Sequence, residues 1–175
     1  MKAIPVSTLN PESLRSAMRA WTAGVTVVTA AHGGQRHGMT VNSFTSVSLD
    51  PAWITISLRQ ATRTHQLVMQ ARSFGVTVLS TRQREVSQRF SGHTIPGASD
   101  GADRFEGLET ATLVTGSPMI KGGLAWLDCR VLQAIDAGEN TLFLAEVVAA
   151  QGEFEGEPLI YHHRAYWHLD PIQDG

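Results

Sequence analysis

Gly38-Met39-Thr40-Val41-Asn42-Ser43-Phe44-Thr45-Ser46-Val47-Ser48, closed by the turn Leu49-Asp50-Pro51, reads as a β-strand that is too rich in hydroxyls and amides merely to fill a core. A flat, polar ligand is expected to lie against it. On its N-terminal side, Val25-Thr26-Val27-Val28-Thr29-Ala30 is β-branched and strand-like, and His32-Gly33-Gly34-Gln35 is a turn. The stretch from about Arg36 therefore becomes the second strand of a hairpin. On its C-terminal side, Trp53-Ile54-Thr55-Ile56-Ser57-Leu58 alternates, with Ile54, Ile56 and Leu58 on one face, as a half-buried strand should.

Helices are signalled by their caps. Asn10-Pro11 starts one whose apolar residues Leu14, Ala17, Met18 and Trp21 form a single face before Gly24, an amphipathic lid. Thr62 or Thr64 caps a second, carrying Leu67, Val68 and Ala71. Ser80 with Gln83 fits a capping box for a third, with Val86 and Phe90 on its inner side and Gly92 at its end. Between the last two lies a strand over Phe74-Gly75-Val76-Thr77-Val78-Leu79. Residues 91 to 104 form a Gly-, Pro- and Ser-rich loop, a candidate lid. Two long strands from Leu124 to Ile135 and from Thr141 to Ala150, then short ones over Pro158 to Tyr161 and Ala165 to Leu169, complete the chain. Hairpin succession without βαβ alternation predicts a mainly β, α+β architecture, an antiparallel barrel with helices over its ends.

A chain of 175 residues is expected to form a single domain, its core spanning about residues 10 to 170. Hydrophobic residues at 42 %, charged residues at 17 % and a formal charge of −2 argue against a nucleic-acid or membrane-surface partner. No apolar run approaches the roughly 18 residues of a membrane span, and no secretory leader follows Met1. The lone Cys129 excludes an internal disulfide and predicts a buried thiol in a reducing, cytoplasmic setting.

The chain lacks G-x-G-x-x-G, a P-loop, H-E-x-x-H, C-x-x-C and G-x-S-x-G. Neighbours in a strand point to opposite faces, so His162 and His163 cannot chelate jointly, and no metal is expected. His32 and His37 flank a turn, where solvation is the simpler reading. No carboxylate pair stands out as acid and base, so no catalytic residue is assigned. What remains is polar residues at two strand ends. Thr40, Asn42 and Ser43 suit the edge of a planar heterocycle. Ser57-Leu58-Arg59 with Thr62 and Thr64 offers a phosphate hydroxyls, N–H groups and a cation. A helix N-terminus contributes only about 0.3–1 kcal/mol to an exposed anion, leaving most of the grip to Arg59 or Arg89. The alternative is that these Thr and Ser residues cap helices and satisfy turns.

Trp21 to Thr29, Gly38 to Ser48, Phe74 to Ser80, Asp103-Arg104-Phe105 and Thr141 to Val147, in that order, resemble the flavin reductase-like, FMN-binding split-barrel family. The resemblance implies a homodimeric split β-barrel of Greek-key type and reduction of FMN or FAD by NADH or NADPH. It also implies delivery of reduced flavin by diffusion to a separate monooxygenase, as the small reductase component of a two-component system. Carried onto this chain, it places Thr40, Val41, Asn42 and Ser43 along the isoalloxazine. Ser57, Leu58, Arg59, Thr62 and Thr64 then hold the ribityl and phosphate groups, with Arg89 and Phe90 near the phosphate or adenylate end. Many relatives carry Gly-Asp-His-Thr where this chain has Gly138-Glu139-Asn140-Thr141, which puts Asn140 on the nicotinamide side. Asn140 can hydrogen-bond but cannot titrate, so a non-catalytic flavin carrier, sensor or electron-transfer module is the alternative reading. A third is a barrel for some other flat ligand.

Overall fold

A computed structural model describes residues 10–92, 103–152 and 155–170. Most of the candidate lid, residues 93–102, lies outside them. The N-terminal helix α1 (Pro11–Met18) is capped by Asn10, whose side chain accepts from Glu12 N at 2.9 Å. It ends a turn earlier than the apolar spacing predicts, so Trp21 lies beyond it, and none of its residues is buried. A two-residue strand β1 (Ala23–Gly24) leads into the hairpin of β2 (Thr26–His32) and β3 (Gln35–Val41). Gly33 and Gly34 turn it with φ of 57° and 75°, the two positive values that a two-residue turn demands.

The stretch Gly38 to Ser48 is not one strand. β3 stops at Val41, and Thr45 opens a new strand, β4 (Thr45–Leu49), which pairs with β5 (Ala52–Arg59). Next come α2 (Arg63–Ala71), β6 (Ser73–Val78) and, after a short 3-10 turn, α3 (Arg84–Phe90). Small strands β7 (Thr110–Ala111) and β8 (Met119–Ile120) precede the long hairpin of β9 (Ala125–Ala137) and β10 (Asn140–Gly152). The hairpin of β11 (Ile160–His162) and β12 (Ala165–Trp167) pairs with β1.

Seven strands form one antiparallel sheet in the order β3-β2-β6-β9-β10-β5-β4. At about 4.8 Å per strand, its edges would lie nearly 30 Å apart if it were flat. Only Asn42, Ser43 and Phe44 join the edge strands β3 and β4, a reach of about 14 Å at most. The sheet must curl until its edges meet. β3 and β4 are not paired, so the barrel is split rather than closed. Ser43 ties the link to β5: its Oγ donates to Ser57 O at 2.9 Å and accepts from Ser57 N at 3.1 Å, continuing the β4–β5 pairing. Register shifts after Leu144 and Val147 bend the long β9–β10 ladder around the barrel.

Inside lies an apolar core of Val28, Ile54, Ile56, Leu58, Val68, Phe74, Phe143 and their neighbours. A second cluster, including Val25, Val27, Leu79, Phe90, Phe105 and Ile120, packs on the outer face beneath α3. Adjacent Val27 and Val28 enter different clusters, so both faces of β2 are buried and its sequence is a continuous apolar and threonine run instead of an alternation.

Candidate functional site

The edge strand β3 contributes to two clefts, Thr40, with Asn42 just past its end, to one and Gln35, Arg36 and His37 to the other. The first, of about 530 Å³, takes Thr40 and Asn42 from the end of β3. The helix α3 adds Arg84, Ser87, Gln88 and, just past its end, Ser91. Those positions recur at i, i+3, i+4 and i+7, forming one polar face. The third wall is the β11–β12 hairpin, with Tyr161, Arg164 and Tyr166. His163 and Arg164 hold φ of 49° and 63°, so the hairpin turns tightly on two non-glycine residues in the left-handed region.

The walls are tied together. Thr40 Oγ1 donates to Ser87 O at 2.6 Å, and the Ser87 hydroxyl and Tyr166 OH lie 2.9 Å apart. The Arg84 guanidinium stands 5.7 Å from the Tyr166 ring centre, and Tyr161 meets Tyr166 edge-on at 5.6 Å. Among the described residues lining this cleft, two are cationic and none is acidic. Its volume lies within the usual range for cofactor sites.

The second cleft, of about 680 Å³, runs between the β2–β3 hairpin, the start of α2 and Asp103 to Phe105. His37 lines it, with Nδ1 2.8 Å from Thr64 Oγ1. Contrary to the solvated reading, His37 is half-buried. Burial, then the Arg104 and Arg63 charges, pulls its pKa down to about 4, so the imidazole is neutral at physiological pH.

The residues expected to hold a flavin are distributed unevenly. Thr40 and Asn42 line the first cleft, and Ser43 and Ser57 bond each other where the β3–β4 link meets β5. The side chains of Val41, Leu58 and Phe90 are in the core, Phe90 edge-on to Phe105 at 5.1 Å. Thr62 caps α2, accepting from His65 N at 3.3 Å while donating to Arg59 O at 2.8 Å. Thr64 is fully buried against His37. Arg59 pairs with Glu139 at 3.3 Å, and Arg89 donates to Glu106 O at 2.7 Å. Asn140 is exposed at the start of β10, opposite Arg59. The fully buried Asp128 accepts from Val114 N and Thr115 N at 2.7 Å, an arrangement that braces a loop. Among the described residues, no three His, Cys, Asp or Glu side chains gather as metal ligands.

Sequence reasoning missed Arg84, Gln88, Arg164 and Tyr166. The polar spacing along α3 was available as a signal, but nothing local announces that the β11–β12 turn faces it.

A flavin reductase like domain matches residues 18–170. The chain is 38 % identical over 157 residues to the NADH-dependent FMN reductase SmoA of Agrobacterium fabrum, covering 90 % of this chain and 85 % of that protein. It is 32 % identical over 174 residues to the reductase component of the 4-nitrophenol 4-monooxygenase/4-nitrocatechol 2-monooxygenase of Rhodococcus opacus, covering 99 % and 89 %. Among solved structures, the NADH:FAD oxidoreductase SgcE6 of Streptomyces globisporus superposes with a TM-score of 0.83 at 30 % identity, over 96 % of this chain and all of that one. With a split barrel, a cleft at the end of β3 and this match over nearly its whole length, the chain belongs to the flavin reductase like domain family.

Proposed function

We propose that this protein is an NAD(P)H-dependent flavin reductase, a single split-barrel domain that transfers hydride from NADH or NADPH to FMN or FAD. The observation that carries this reading, in a chain of this family, is the first cleft. It offers an amide, hydroxyls and two guanidinium groups, and no acid–base pair lines it. That donor set fits a flat heterocycle with an anionic tail. Bound flavin supplies the redox chemistry by accepting the hydride. The protein's own work is to hold and shield.

Asn42 presents its amide to a ring edge, Arg84 and Arg164 balance negative charge, and Tyr166, fixed by Ser87, forms a wall that keeps water out. Hydride transfer needs little proton management, so correct positioning supplies much of the rate. On the resemblance alone, Ser57, Leu58, Arg59, Thr62 and Thr64 would hold the ribityl and phosphate groups, Arg89 and Phe90 the phosphate or adenylate end, and Asn140 the nicotinamide side; among the described residues none of them lines the first cleft.

Relatives that are reductase components of monooxygenases imply an oxygenase partner here, served by diffusion of reduced flavin. A homodimer is supported by apolar side chains left in solvent on one copy: Leu14, Met18 and Trp21 at 52, 53 and 66 % exposure, and Leu49 at 91 %. No helix among the described residues is long and apolar enough to cross a membrane. A cytoplasmic setting is consistent with the buried free thiol of Cys129.

The test is direct. Purified protein mixed with NADH or NADPH and FMN, FAD or riboflavin should consume the reduced nicotinamide only when flavin is present. No flavin-dependent consumption with either nucleotide would overturn the reading.

A further inference from the structure

The second cleft takes no part in the function proposed above, and it shares no lining residue with the first. Three guanidinium groups and one carboxylate meet in it: Arg36, Arg63, Arg104 and Asp103. Arg36 is held by Asp103 Oδ2 at 2.7 Å and stands 4.7 Å from the Phe105 ring centre. Arg104 is fixed by Gly38 O at 3.1 Å and Phe90 O at 2.9 Å. Both of those bonds use Nη1 alone, and among the described residues its other nitrogens have no acceptor. Among the described residues, Arg63 has only a long 3.4 Å contact to Gln35 Oε1.

Two cations are thus pinned by neighbours, the third is nearly unengaged, and a single carboxylate offsets the three. Burial depresses the pKa of Arg104, which marks a cation already short of solvation. An anion with several acceptor oxygens would satisfy the free guanidinium edges in the bidentate manner that suits arginine.

We propose that this arginine cleft is a second substrate subsite, one that binds a phosphate ester of a nucleotide substrate. Its position fits. His37 of the second cleft and Thr40 of the first are three residues apart on β3, roughly 10 Å, so a ligand with its ring at Thr40 and Asn42 can send a phosphate tail along that strand. The proposal rests on the reading that flavin and nicotinamide nucleotides are the substrates. The same phosphate chemistry could be brought by FMN or FAD or by the reduced dinucleotide.

Calorimetric titration with inorganic pyrophosphate tests the anion site without any turnover. Wild-type protein should bind it, Arg63→Gln should weaken binding on the order of tenfold, and Arg63→Lys should restore part of it. Arg63 opens α2 at the surface, so the glutamine variant keeps the helix, and circular dichroism checks this. Steady-state kinetics then identify the source. If flavin brings the phosphate, the ratio of KM for FMN to KM for riboflavin rises about tenfold in Arg63→Gln. If the nicotinamide nucleotide brings it, KM for NADH or NADPH rises instead while the flavin ratio stays level. Pyrophosphate binding that ignores Arg63 overturns the proposal. So does binding that depends on Arg63 while neither kinetic quantity moves. Loss of all flavin reduction with Arg63-dependent pyrophosphate binding intact would break the functional reading and leave the anion site standing.

Discussion

At its C-terminal end β3 offers Thr40 and, just past its end, Asn42 to a cleft walled by hydroxyls, tyrosines and two arginines; towards its start, Arg36 and His37 line a cleft of arginines partly answered by an aspartate. The two clefts are built from successive segments of one strand and differ in kind. The first has the aromatic and amide surface that orients a ring, and the second has the excess charge that grips an anion. One strand can therefore divide a two-ended ligand between its two ends, with one backbone fixing the spacing. The difference teaches where each specificity resides, and each variant below either couples the clefts or isolates one.

Gly38 is the point at which they meet, and its substitution has the largest expected effect. A Cβ there would lie 2.8 Å from Phe90 Cε1 and 3.1 Å from Thr29 Cγ2, and its carbonyl accepts from Arg104. Phe90 is fully buried and cannot step aside freely. Gly38→Ala should cost about 1–3 kcal/mol in urea denaturation and weaken FMN and pyrophosphate binding together. Loss at only one cleft would mean that they do not share this support. Asn42→Leu should act on the first cleft alone. It raises the Kd for FMN at least about tenfold, equivalent to about 1.4 kcal/mol, while thermal unfolding and pyrophosphate binding hold. Unchanged flavin affinity would remove the ring from this cleft.

His37 isolates the second cleft through pH. Its folded pKa of about 4 lies below the ordinary value of 6.5. Above pH 6.5 the imidazole is neutral in both folded and unfolded chains and contributes no slope. Between 6.5 and about 4 the unfolded chain takes up a proton that the folded one refuses, so stability falls as pH drops, and below about 4 the slope ends. For a half-buried group the loss is about 1 kcal/mol after allowing for solvent screening. His37→Gln should flatten that part of the stability profile. Asp103 adds a separate slope: hydrogen bonds from Arg36 and Phe105 N–H outweigh burial and hold its pKa low, so its contribution also fades in acid. The comparison must therefore be between wild type and the His37 variant at matched pH.

What could be read from the sequence was local. The Asn10 and Thr62 caps, the alternation of Ile54, Ile56 and Leu58, and the glycine turn after His32 each depend on neighbours within a few residues. The break at Asn42 to Phe44 could not be read this way, because those residues carry no glycine or proline. They pass from one sheet edge to the other only because the whole barrel curls. Arg36, Arg63 and Arg104 are likewise scattered along the chain and meet only through topology. Thr62 and Thr64 show the opposite failing, since their hydroxyls have a ligand-like pattern in sequence but are committed to a helix cap and a histidine. Polar density in a sequence does not distinguish a group facing a ligand from one facing its own backbone.

The smallest expected effect concerns Arg59, which the resemblance places at the flavin phosphate and the structure pairs with Glu139 across the β5–β10 edge. Both side chains are largely exposed, at 64 % and 83 %, so the pair contributes less than about 0.5 kcal/mol and weakens further at high salt. Glu139→Gln releases Arg59 without touching the Glu139 carbonyl that accepts from Gln60 N at 3.0 Å, so the turn keeps its backbone bond. With the phosphate held in the arginine cleft, the KM ratio of FMN to riboflavin should move by less than about twofold in this variant. A larger fall, abolished by adding Arg59→Gln, would mean that the freed guanidinium had captured the phosphate. The anion would then be held at the start of α2 rather than in the cleft lined by His37, and the division of labour between the two ends of β3 would give way.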